Sequence, residues 1–328
     1  MLADMLGTLP QVLIDGLTLG VIYAVVAIGY TMVYGILELI NFAHGEIFMT
    51  GAFIGTSLLL LLTGMGWIHA LPAIVILLIV MIAASVCTGL MGIGIERVAY
   101  RPLRKAPKLI TLITAIGISF LLQDIVRFIA ELKKGNYIIN TPGLFNSQIQ
   151  LKASSLLPEF HDAALKSSFL IVLIVSIVML IVLDIFVNRT KWGMAMRAVA
   201  QDRETASLMS VNVNKVISIT FFVGSALGGA TGVLFAIQYG SIDPFIGYTL
   251  GMKAFTAAVL GGIGNIRGAM AGGLILGIVE MFAAANLSGL TGGIFGSEYK
   301  DVFAFILLIV VLIFKPEGLF GKAAIEKV

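Results

Sequence analysis

The chain is 328 residues long, 59% hydrophobic and only 12% charged, with a formal net charge of +3. A soluble domain carries about 25% charged residues, so the composition excludes water as the main solvent of the fold. The one cysteine, Cys87, lies inside an apolar run; this excludes disulfide frameworks and thiolate metal sites and leaves it a packing role.

A helix crossing the roughly 30 Å apolar core of a bilayer needs about 18 or more mostly apolar residues, each rising about 1.5 Å. Residues 1–15 contain no Lys or Arg, so the first apolar run lacks the positive region of a secretory signal and is read as a retained span. Residues 16–37, 47–66, 71–95 and 216–238 meet the length outright. Further spans are expected at 109–131, 168–188, 252–266, 268–288 and 301–315, the last three short or interrupted. These runs are continuous rather than alternating, which implies helices and not a β-barrel. The expected fold is all-α: a polytopic transmembrane helical bundle of about 8–10 spans with short interrupted helices, forming one domain over residues 1–328.

Two segments break the apolar pattern. The first, Asn41-Phe42-Ala43-His44-Gly45-Glu46, separates two spans by a few residues; the second is Gly261-Gly262-Ile263-Gly264-Asn265-Ile266-Arg267-Gly268. At membrane depth, unwound backbone survives only inside protein or beside a polar cavity, and a half-helix start there presents free N–H groups. On that reading Asn41, His44, Gly45, Glu46, Gly261, Gly262, Gly264 and Asn265 border a solute pathway. The competing reading is a pair of short turns, with Asn41 capping the next helix and Glu46 suiting its first turn. His44 has no second His, Cys or carboxylate at ligand spacing and reads as structural, so no metal site is expected.

Asp124 and Arg127 stand three apart on one helix and are expected to pair, whereas Glu280 has no partner visible in the sequence. Residues 132–167, with Asn136, Pro142, Gly143 and a mixed-charge tail around Glu159, His161 and Asp162, read as an external loop or short surface helix. Gly224, Gly228 and Gly232 recur every four residues, as do Gly268 with Gly272 and Gly273 with Gly277, the spacing of close helix packing in lipid. The stretch 192–212 is free of proline and mixes apolar residues with charges, which suits a helix at the membrane surface.

Basic residues orient the bundle. Arg97, Arg101, Arg104, Lys105 and Lys108 form one cluster, and Arg189, Lys191, Arg197, Arg203 and Lys215 a second; Arg267, Lys315, Lys322 and Lys327 complete fourteen of the 21 Lys and Arg on one side. That side is expected to be cytoplasmic, with nine crossings, the N-terminus outside and the C-terminus inside. No G-x-x-x-x-G-K-[ST] loop, no H-E-x-x-H and no G-x-S-x-G occurs, and no nucleic-acid module is present. No catalytic residue is assigned.

Leu17 to Gly20, Gly29 to Ile36, Ile40 to Glu46, Ile95 to Pro102 and Gly251 to Gly264 resemble the LivH permease family of branched-chain amino acid importers driven by ATP-binding-cassette subunits. The resemblance runs nearly end to end, including Glu326-Lys327-Val328. It implies a bacterial inner-membrane permease subunit, not itself an enzyme, that translocates leucine, isoleucine or valine. The implied partners are a paralogous second permease, two cytoplasmic ATPases and a periplasmic binding protein. ATP would be bound by those partners and no cofactor by this chain. The loop resembling residues 193–214 is implied to dock on an ATPase, with Arg197, Ala198, Asp202, Glu204 and Ala206 as the coupling residues and a helix over Ala198 to Leu208. Ser210 stands where the family pattern has glycine. The family also includes permeases for urea, short amides and other neutral amino acids; outside it, a passive channel or a proton-coupled secondary transporter are the competing classes.

Overall fold

The computed structural model describes residues 2–37, 39–104, 106–135, 137–145, 147–152 and 160–321. Lys105, Asn136, Glu159 and the stretch 322–328, with Lys322, Lys327 and the final Glu326-Lys327-Val328, lie outside the described residues. The helices are α1 (Leu2–Leu37), α2 (Ala43–Gly64), α3 (Trp67–Ala70), α4 (Ala73–Ile95), α5 (Lys108–Lys134), α6 (Ser167–Arg189), α7 (Lys191–Gln201), α8 (Arg203–Leu208), α9 (Val213–Tyr239), α10 (Ile246–Gly261), α11 (Ile266–Leu290) and α12 (Lys300–Phe314). Local chemistry sets several ends. Pro72 and Pro107 precede α4 and α5 in extended conformations that cannot continue a helix backwards. Gly135 and Gly240, at φ 63° and 74°, terminate α5 and α9.

Among the described residues, seven helices are long and apolar enough to cross a membrane: α1, α2, α4, α5, α6, α9 and α11. Two shorter helices, α10 with 16 residues and α12 with 15, fall below that length. Helix α1 starts well before residue 16 and runs through Pro10 for 36 residues, about 54 Å. Helix α10 ends at Gly261 rather than 266, because Gly262 turns the chain at φ 105°.

Side-chain contacts define the two faces. On one, Arg104 donates to Asn214 and Arg203 to the carbonyl of Ile36, while Leu319 and Phe320 pair through their backbone N–H groups with Leu260 and Gly261. Both basic clusters and the last described residues therefore share this basic face. On the opposite loop face, His161 N–H bonds the Gly7 carbonyl, and Gln123 reaches the carbonyl of Pro244. The 132–167 region is not a surface helix among its described residues. It holds three short strands, β1 (Ile139–Asn140), β2 (Gln148–Leu151) and β3 (Ala163–Lys166). Strands β2 and β3 pair antiparallel, and β1 pairs with β4 (Ser241–Ile242), Ile139 opposite Ile242.

Helix α1 is the central column, packed on α9, α10 and α11, with α2 and α4 against α9. The glycine repeats are used for close packing: a Cβ on Gly232 would strike the Phe48 carbonyl, one on Gly272 the Ala257 carbonyl and one on Gly277 the backbone of Gly20. Helices α5 and α6 lie at the periphery and expose apolar side chains such as Ile113, Phe128, Ile174 and Val182. Cys87 is not a packing residue: it sits on the exposed side of α4, since its neighbours Ala84 and Thr88 take the buried face.

Candidate functional site

The two breaks in the apolar pattern have different fates. The first lies deep in the bundle. Helix α2 begins beside Gly29 of α1, about 12 Å of helix before Leu37, and beside Ser119 of α5, about 16 Å from that helix's start. It thus starts inside the bundle, away from the basic-face ends of α1 and α5, and Asn41 is not its cap: the N-terminal position is Phe42, with no side-chain cap. Asn41 is buried and accepts a hydrogen bond from Tyr100 Oη at 2.7 Å. His44 is fully buried, edge-on to Tyr30 at 4.8 Å between ring centroids, in space left by Gly29 and Gly228. Gly45 permits contact with α10, since a Cβ there would overlap the carbonyl of Gly247.

Glu46 is 1% exposed; its Oε1 accepts from Ser119 Oγ at 3.2 Å, and its Oε2 has no hydrogen-bond partner. Asn41 Nδ2 and Thr31 Oγ1 are also unpartnered. Such atoms are rare in folded proteins, and a concentration of them marks a place where water, an ion or a ligand completes the bonding. An acidic side chain at mid-bilayer costs about 3 kcal/mol even on lenient scales. On the far side of Ser119 and Gly247 lies a cavity of about 290 Å³, walled by Tyr30, Phe42, Ile116, Phe120, Tyr248 and Met252. Most of its walls come from α5 and α10.

The second break is a closed turn on the basic face. Gly261 and Gly268 pack backbone to backbone, and Asn265 caps α11 by accepting from Arg267 N–H and Gly268 N–H. Gly262 packs against Gly321, while Gly264, at φ 91°, faces open space. A cavity of about 90 Å³ beside Gly264 is lined also by Thr31, Ile36, Arg197 and Ala200.

Glu280 is not alone. It accepts from Lys253 Nζ at 2.7 Å and from Tyr23 Oη at 2.8 Å, with Lys300 at 3.7 Å, and Lys253 also reaches Asp301 at 2.6 Å. This network is the floor of a cavity of about 650 Å³ on the loop-face side, with Gln11, Asp15 and Lys166 among its walls. The sequence hid it because Lys253 and Glu280 are 27 residues apart on different helices; the only signal was a lysine inside a short apolar span. Arg127 pairs with Glu131 at 3.2 Å rather than with Asp124, and all three are exposed.

Residues 191–208 form two helices, not one. Asp202 is extended at φ −159° and caps α8 through bonds from Glu204 N–H and Thr205 N–H. Ala206 is 4% exposed and packs inward, Arg203 is engaged with Ile36, and Ala198 is half-buried. Arg197 donates to the carbonyl of Val187, while Glu204 is exposed. The outermost apolar groups are Leu208, 84% exposed, and Met209. Ser210 follows at φ 64°, the left-handed conformation that glycine adopts at least cost.

The long apolar helices of this bundle are those of a multi-pass membrane protein. The chain belongs to the family described as branched-chain amino acid transport system, permease component, which it matches over residues 12–312. It is 44% identical over 322 residues to the high-affinity branched-chain amino acid transport system permease protein LivH of Escherichia coli, covering 97% of each chain. It is 43% identical over 319 residues to the corresponding BraD protein of Pseudomonas aeruginosa, again with 97% of each covered. A probable LivH of Methanocaldococcus jannaschii is 27% identical over 297 residues, covering 90% of this chain and 87% of that one. No solved structure matches the chain.

Proposed function

We propose that this chain is the permease subunit of an importer that carries leucine, isoleucine and valine across the bacterial inner membrane, driven by ATP hydrolysed in partner subunits. The observation that carries the reading is the likeness to LivH and BraD over 97% of the chain. The buried break at Asn41, His44, Gly45 and Glu46, beside a cavity, supports a solute route completed by a second permease packed against α5 and α10. Gly261, Gly262, Gly264 and Asn265 border that route only at its basic-face end, beside the small cavity at Gly264. The basic face is cytoplasmic under the positive-inside rule, which puts the N-terminus outside and the C-terminus inside. A binding protein docks on the loop face.

One of the two ATPases docks on the basic face at α7 and α8, touching Leu208, Met209, Asp202 and Glu204, with Arg197, Ala198 and Ala206 holding those helices to the bundle. No catalytic group, metal or cofactor is assigned to this chain. The test is purification with its co-expressed partners and reconstitution into vesicles. Leucine uptake that requires ATP and the ATPases supports the reading. Uptake without an energy source would indicate a channel, uptake driven by a pH gradient a secondary transporter, and preference for urea or amides a different substrate within the family.

A further inference from the structure

Resting on the pathway reading above, we propose that Glu46 is an ammonium-binding group, which takes the α-ammonium of an amino acid while the adjoining apolar cavity takes its side chain. The geometry comes from three elements. Helix α2 supplies the carboxylate from its first turn, where the helix dipole favours negative charge. Helix α5 supplies Ser119, whose hydroxyl occupies Oε1 and fixes the carboxylate's orientation. Helix α10 supplies Gly247, whose backbone packs on Oε2, where a Cβ would overlap it; Gly247 and Ser119 also line the cavity, so the carboxylate stands one residue layer behind its wall.

Among the described residues no Lys or Arg pairs with Glu46, so this buried negative group lacks a counter-charge from this chain. One carboxylate is too few for a hard metal ion, which asks for six or more oxygens. An ammonium needs only an acceptor or two, and Oε2 is one. The cavity of about 290 Å³, walled by Ile116, Phe120, Phe42 and Met252, stands at the small end of ligand sites and is apolar, as a short branched side chain requires.

The experiment uses the complete transporter in vesicles, in a Cys87→Ser background carrying Ile116→Cys on the cavity wall. The rate of thiol modification is compared for an ethylammonium and an ethylsulfonate methanethiosulfonate reagent, each normalised to its rate with a free thiol. Attraction of one charge and repulsion of the other should give the ammonium reagent an advantage of roughly tenfold or more. Glu46→Gln and Gly247→Ala should bring the ratio close to one, and Glu46→Asp should retain part of it. A ratio near one in the parent, or one that survives Glu46→Gln in an assembled complex, overturns the assignment. Ile116→Trp, which fills the cavity, separates the two readings. Leucine uptake that survives this plug overturns the pathway reading and the ammonium site with it, whereas an effective plug with a flat ratio overturns the ammonium site alone.

Discussion

Glu46 and Glu280 are both 1% exposed and both inside membrane-spanning helices, yet their surroundings are opposite. Glu280 has Lys253 and Tyr23 at hydrogen-bond distance and a second lysine beyond. Glu46 has one serine, and its other oxygen, packed on the Gly247 backbone, has no hydrogen-bond partner. Burial alone therefore says little about what an intramembrane acid does; the number of its bonding positions left vacant separates a group that holds helices together from one kept for a visitor.

The largest effect expected from this contrast is at the satisfied site. Lys253→Met strands two carboxylates, Glu280 and Asp301, and should cost about 3–5 kcal/mol, read as a large fall in the thermal midpoint of the detergent-solubilised complex. Lys253→Met combined with Glu280→Met removes the buried charge with its partner and should recover most of that loss. Recovery absent from the double variant would mean that the network does more than hold α10 to α11. At the open site the pattern should invert. Glu46→Gln removes an unpaired buried charge, so the midpoint should hold or rise, while leucine uptake falls roughly tenfold, about 1.4 kcal/mol of lost interaction. A Glu46→Gln complex that falls apart would make the two glutamates alike.

A smaller effect is expected at Gly264. Its φ of 91° disfavours any side chain, so Gly264→Ala should cost about 1–2 kcal/mol of stability, although nothing lies within 4 Å of the new methyl. Uptake by the folded fraction should be near normal, and a loss comparable to that of Glu46→Gln would move the route toward this turn. The smallest effect is a gain. Ser210→Gly relieves a left-handed serine and should stabilise by about 1 kcal/mol, seen as a small rise in the same midpoint.

The membrane-spanning character of the chain was legible because a continuous apolar run of sufficient length has one physical meaning in a bilayer. Depth was not. The breaks at Asn41–Glu46 and Gly261–Gly268 look alike as strings of small and polar residues. Only packing distinguishes them: Gly45 sits on α10 and His44 between α1 and α9, whereas Gly262 sits on the C-terminal segment at Gly321. The Glu280 network was illegible for the same reason, since Lys253, Tyr23 and Glu280 come from three helices and no local spacing rule joins them. Ala206 shows the limit from the other side. A small residue in a surface helix suits close approach to a partner or to its own bundle, and here it packs inward because Asp202 restarts the helix and rotates that face toward the core.

The pairing of β1 with β4 gives the loop face a mechanical property. Ile139 and Asn140, carried by the connection after α5, are laced to Ser241 and Ile242 in the short joint between α9 and α10. Five residues beyond Ile242 is Gly247, which rests on Glu46. A push on this ribbon from outside has little slack to absorb it: the ladder is a strap, the joint a pivot and the first turn of α10 a short lever whose tip touches the buried carboxylate. A contact made at the surface thus has a stiff route of a few residues to the innermost polar group of the molecule.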